Sequence, residues 1–146
     1  MITPTTTQFR AVIIVALICW IAMAVLPNIG AIPFSEDVAN ARQWNYFGST
    51  ISFWVIQAWW VVSGLLTLGS LLGMLRFWPP SRWMLAIGLF ASLVMQPLLG
   101  LAVYSPFEAS LGSISSASFL WLVCVSFYSS LGAHFTQGHS GGGRRQ

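Results

Sequence analysis

The side chains able to do chemistry are few, and they do not cluster. His134 and His139 are the only histidines, five positions apart beside a glycine-rich run. A metal ion needs three or four ligands, and no acid or thiol neighbours them in sequence. Cys19 and Cys124 are far apart, with no Cys-x-x-Cys to suggest thiol redox chemistry. Glu36 and Asp37 are the only adjacent carboxylates, and no base accompanies them. His-Glu-x-x-His, Gly-x-Ser-x-Gly, phosphate-loop and dinucleotide fingerprints are all absent. These residues point to no catalytic site, no metal site and no cofactor, and hence to a non-enzymatic protein.

Composition says where the chain resides. Of 146 residues, 56% are hydrophobic and 6% charged, against about 25% charged in an average soluble domain. So few charges cannot coat a soluble globule, and disordered chains are polar and charge-rich. The chain is expected to be an integral membrane protein. Its net charge of +3 is too scattered to form a nucleic-acid-binding patch.

Charge-free runs give the elements. A spanning helix needs roughly 17–25 apolar residues. Four runs qualify, at about 11–32, 51–75, 83–104 and 111–133, with an outer loop at 33–50. They predict an all-α membrane protein, a four-transmembrane-helix bundle forming one domain over 11–135. Residues 1–10 form the N-terminus and 136–146 a flexible tail. The first run is short before Pro27 and is expected to continue past it. It also fits the outline of a secretory signal peptide, with Ala22-Met23-Ala24 as an A-x-A-like site.

All six basic residues are Arg. With the N-terminus in the cytoplasm, Arg10, Arg76, Arg82, Arg144 and Arg145 fall inside, while Arg42 and the three acids fall outside. This predicts a multi-pass membrane protein with both termini cytoplasmic, and the short loops and overall format suggest a bacterial inner membrane. In the inner turn, Pro79 and Pro80 are expected to stop the second helix and Ser81 to cap the third. Ser35, Glu36 and Asp37 read as the start of a short outer helix. Glu108 falls between the third and fourth runs, so no ionisable group lies within a span. That argues against proton-coupled transport.

What remains is packing chemistry. Gln57 and Gln96 are the amides in the spans and are candidates for interhelical polar contacts. Small residues recur at helical spacing: Ser63, Thr67 and Ser70; Gly69-x-x-x-Gly73; Gly88, Ser92, Gln96 and Gly100; Gly112 and Ser116. Such faces let membrane helices approach closely. Some of them can serve to dock another membrane protein or a second copy of the chain. Glu36, Asp37, Gly69 and Gly73 are the candidate partner-binding residues.

In length, four spans and lack of a catalytic cluster, the chain resembles the small multi-pass inner-membrane immunity proteins of bacterial contact-dependent secretion systems. Those proteins are paired with pore-forming toxins. The resemblance covers the whole chain as a format and assigns no residue. It implies protection against a membrane-acting toxin by protein–protein interaction in the membrane. The alternatives are an accessory subunit of a membrane complex, or a small oligomeric channel or facilitator. The expected partners are membrane lipid, a toxin or complex subunit, and a homo-oligomer; nucleic acid is not among them.

Overall fold

The computed structural model describes residues 4–26, 29, 40, 49, 51–100 and 102–137. Glu36, Asp37, the expected outer helix and the tail beyond residue 137 lie outside the described residues. Among the described residues there are four long helices and no strand: α1 Thr6–Val25, α2 Phe53–Leu75, α3 Pro79–Leu99 and α4 Pro106–Tyr128. A 3₁₀ turn, Ser130–Ala133, and a short helix, α5 His134–Gln137, follow. Each long helix is long and apolar enough to cross a membrane. Helices suit that environment because they satisfy every interior backbone polar group within the segment.

Three helix boundaries correct the sequence reading, and local capping explains each. The 20-residue α1 starts before Arg10 rather than after it. The Gln8 amide donates to Thr5 Oγ1 at 3.2 Å, and the Thr5 amide donates to Gln8 Oε1 at 2.9 Å. This reciprocal capping box satisfies two otherwise orphaned N–H groups. Apart from Ile29, the expected continuation past Pro27 lies outside the described residues.

The third helix begins at Pro79, not at Trp83. Proline fits the first helical position because its missing N–H would have no partner there. Ser81 lies inside the first turn and donates its hydroxyl to the Trp78 carbonyl, so it is not the cap. The helix runs through Pro97 to Leu99 and stops at Gly100, whose φ of 81° favours glycine.

The fourth helix begins at Pro106, five residues earlier than expected. The Glu108 amide donates to Ser105 Oγ at 3.2 Å, and the Ser105 amide donates to Glu108 Oε2 at 2.8 Å. The helix ends at Ser129, whose extended backbone breaks it and whose hydroxyl accepts from the Leu131 amide at 3.2 Å.

The α2–α3 turn is a Schellman motif. The Trp78 amide donates to the Gly73 carbonyl at 2.9 Å, and the Phe77 amide donates to Met74 at 3.0 Å. The left-handed position holds Phe77, at φ 53°, where glycine is usual. Such a backbone costs a phenylalanine on the order of 1 kcal/mol. Its ring compensates, lying 5.8 Å from Phe9, 5.2 Å from Phe135 and 5.4 Å from His134.

Packing follows from these ends. α1 lies antiparallel along α4, and α2 along α3, with sparser contact between the two pairs. Phe9, Ile13, Ala16, Leu71, Met74, Leu85, Leu122 and Phe135 form the buried core that joins the pairs. The apolar residues outside it, such as Leu65, Phe90 and Leu120, cover the surface of the bundle. In a membrane those side chains would face lipid.

Candidate functional site

The two helix pairs are sealed together at one end by an aromatic cluster, and towards the other Trp20 of α1 covers Gly64 of α2, where an added Cβ would lie 3.6 Å from its ring. The sealed end carries Phe9, Phe77 and Phe135, with Trp83 edge-on to Phe127 at 4.8 Å. Between the pairs lies a cleft of about 560 Å³. Its lining comes from all four helices. α1 contributes Trp20 and Met23; α2 contributes Trp60, Ser63, Gly64 and Thr67. α3 adds Met84, Gly88, Ser92 and Gln96, and α4 adds Glu108, Gly112, Ser113, Ser115, Ser116 and Phe119. The small-residue stripes of three helices therefore converge on one cleft.

Two polar groups in the cleft were not singled out in sequence. Glu108 is 3% exposed. It lies in the first turn of a candidate span, which corrects the expectation that no acid does so. The Ser105-x-x-Glu108 pattern is a capping-box signature that marks this helix start. Ser115 is 2% exposed, and its hydroxyl has no hydrogen-bond partner. Neighbouring serines of α4 are satisfied by their own helix. Ser110, Ser113 and Ser118 each donate to the carbonyl one turn back at 2.8 Å. Ser115 does not, and an unpaired buried hydroxyl costs roughly 1–3 kcal/mol.

The sequence-predicted residues fall in different places. Gln96 lines the cleft and is exposed; Gln57 is exposed and is not among the cleft residues. Neither side chain bonds across a helix interface within the described residues. Gly69 and Gly73 lie on α2 where it meets α3. A Cβ at Gly73 would come 2.7 Å from Ser81 Cβ and 3.0 Å from the Trp78 ring, while one at Gly69 would meet only Met84 Cε, at 3.7 Å. Gly73 thus permits the hairpin's close approach. Cys19 is half-buried, Cys124 is exposed, and both are free thiols. Among the described residues no three His, Cys, Asp or Glu side chains gather as a metal site. His134 packs on Phe77, whereas His139 lies outside the described residues.

Chemically, the cleft offers hydroxyl and amide hydrogen bonding at Ser92, Gln96 and Ser116, while its glycines are covered by Trp20, Leu66 and Met23 and the Glu108 carboxylate is buried against the Ser105 amide. Among the described residues no nucleophile–base pair lines it. No protein-family model, curated protein or solved structure matches this chain.

Proposed function

We propose that this chain is a non-enzymatic bacterial inner-membrane protein that works by taking a helix of another membrane protein into the cleft between its helix pairs. In this reading the partner is a membrane-acting toxin, and the chain is its immunity protein. Both termini are cytoplasmic, so the cleft opens towards the periplasm, from which such a toxin enters. The outer segment with Glu36 and Asp37 would meet it first.

The observation that carries this reading is a cleft lined by all four helices in which the small or polar side chains of Ser92, Gln96 and Ser116 are exposed. Small residues are what membrane helices use to approach each other, and an interhelical hydrogen bond is worth about 0.6–2 kcal/mol in that setting. A toxin helix that must pack through small residues to build a pore would meet an equivalent surface here and be held out of its own assembly.

The test is purification of the tagged chain in gentle detergent from cells making the toxin, beside variants that fill the cleft. Ser92→Leu and Ser116→Leu add bulk at exposed lining positions. The wild type should retain one stoichiometric membrane partner and protect the cell; the double variant should insert normally and do neither. Retention of the partner by the double variant would overturn the cleft as the docking site. A partner that is a complex subunit and not a toxin would make the chain an accessory subunit.

The polar lining favours a second reading, a channel or facilitator. Ser63, Thr67, Ser92 and Gln96 would then line the solute path. Purified protein in liposomes should conduct, and Gln96→Leu should change the flux while Gln57→Leu should not. Absence of flux from the wild type would remove this reading.

A further inference from the structure

The sealed end carries a separate feature that the cleft does not use. Arg10, Arg76 and Arg82 all lie at this end, and the described residues provide no carboxylate there. The one described acid, Glu108, caps the far end of α4. Three guanidinium groups that meet no carboxylate among the described residues, beside an apolar bundle, are a concentration of positive charge that attracts an anion.

Two of the three border the same hollow. A pocket of about 1080 Å³ lies against the α2–α3 turn, lined by Arg76 and Arg82 together with Leu72, Trp78, Pro80 and Phe135. Arg82 is held in place by aromatic faces, its guanidinium carbon 5.0 Å from the Phe127 ring centre and 5.8 Å from that of Phe135. Its Nη1 makes only a long 3.5 Å contact to the Ser126 carbonyl, and its buried Nε has no acceptor. An arginine so fixed keeps donors to offer to a tetrahedral anion. Arg10 instead lies over Phe77, at 5.7 Å, and is not part of the lining.

We propose that this pocket binds the phosphate of an anionic phospholipid, with Arg82 and Arg76 on the headgroup and the exposed Leu72 and Trp78 side chains against the glycerol and upper acyl chain. The chemistry shared with free phosphate is the guanidinium–phosphate pairing. The apolar floor distinguishes the lipid, because inorganic phosphate gains nothing from it. The position fits as well, since interfacial tryptophan and arginine at a helix-hairpin turn sit at headgroup depth.

The experiment is native mass spectrometry and thermal melting of the delipidated full chain in mild detergent, titrated with phosphatidylglycerol, with phosphatidylcholine, or with inorganic phosphate. Phosphatidylglycerol alone should be retained and should raise the melting temperature. Arg76→Gln, at an exposed position, should weaken its retention roughly five-fold, and Arg82→Gln by at least as much. Arg82→Lys keeps the charge without the fork and covers the case in which Arg82→Gln fails to fold; it should fall between wild type and a full loss. Arg10→Gln should change retention least. Equal retention of phosphatidylcholine, or unchanged phosphatidylglycerol retention in Arg76→Gln and Arg82→Lys, would overturn the proposal. Displacement of the lipid by millimolar inorganic phosphate would overturn the lipid as the ligand.

Discussion

The sealed end and the cleft are built from the same four helices, yet they solve opposite problems. At the sealed end, aromatic rings from α1, the α2–α3 turn and α5 interlock, and Phe9 and Phe135 are completely buried. Large rigid side chains fill space without needing hydrogen bonds. Around the cleft, Gly64, Gly88 and Gly112 are met by Trp20, Leu66 and Met23 of neighbouring helices, Ser92, Gln96 and Ser116 are exposed, and a buried hydroxyl goes unpaired. The contrast is one of packing: bulky rings close one end of the bundle, whereas exposed serines and Gln96 line the cleft towards the other. Proteins commonly place binding surfaces in their less tightly packed regions.

The largest effect is expected at Phe77. Phe77→Ala removes the ring from the cluster but keeps the left-handed backbone, and should destabilise the protein by about 2–3 kcal/mol. Phe77→Gly loses the same ring but relieves the backbone, so it should be less damaging than Ala by about 1 kcal/mol. Denaturant-induced unfolding in detergent micelles measures both. If Ala were the better tolerated of the two, the account of this turn would be wrong.

An intermediate effect separates the two glycines of Gly69-x-x-x-Gly73. Gly73→Ala forces the hairpin apart at Ser81 and should cost about 1–3 kcal/mol. Gly69→Ala meets only the flexible end of Met84 and should change stability by less than about 0.5 kcal/mol. The same unfolding assay decides. A loss of partner binding in Gly73→Ala alone would therefore report on folding and not on docking.

The smallest effect, and the sharpest in sign, lies in the cleft. Ser115→Ala should stabilise the isolated protein by up to about 1 kcal/mol, because it removes an orphaned hydroxyl with little change of shape. Destabilisation on removing the hydroxyl would mean that Ser115 is already satisfied, and the contrast between the two ends would weaken.

The number of long helices and their approximate centres were legible in the sequence, because long apolar runs bounded by charge, proline and glycine leave the chain little choice. The helix starts were less legible. Thr5-x-x-Gln8 and Ser105-x-x-Glu108 are present in the sequence, but their short polar residues look like loop until capping draws them into the helix. That misreading moved Glu108 out of its span. The converging stripes on α2, α3 and α4 were visible one by one, although not as the lining of one cleft.

The sequence by itself determined an all-helical chain with four candidate membrane spans, because hydropathy and helix length are local properties. Only the tertiary structure decided which helix lies beside which, that Gly73 serves the hairpin, and that Gln96 faces the cleft while Gln57 does not. Those are outcomes of rotation and pairing. A helix that is apolar on nearly every side gives weak rotational instructions. Its facing is then set by the few places where another helix meets it, such as the rings at Phe9, Phe77 and Phe135, and these come together only when the bundle is assembled.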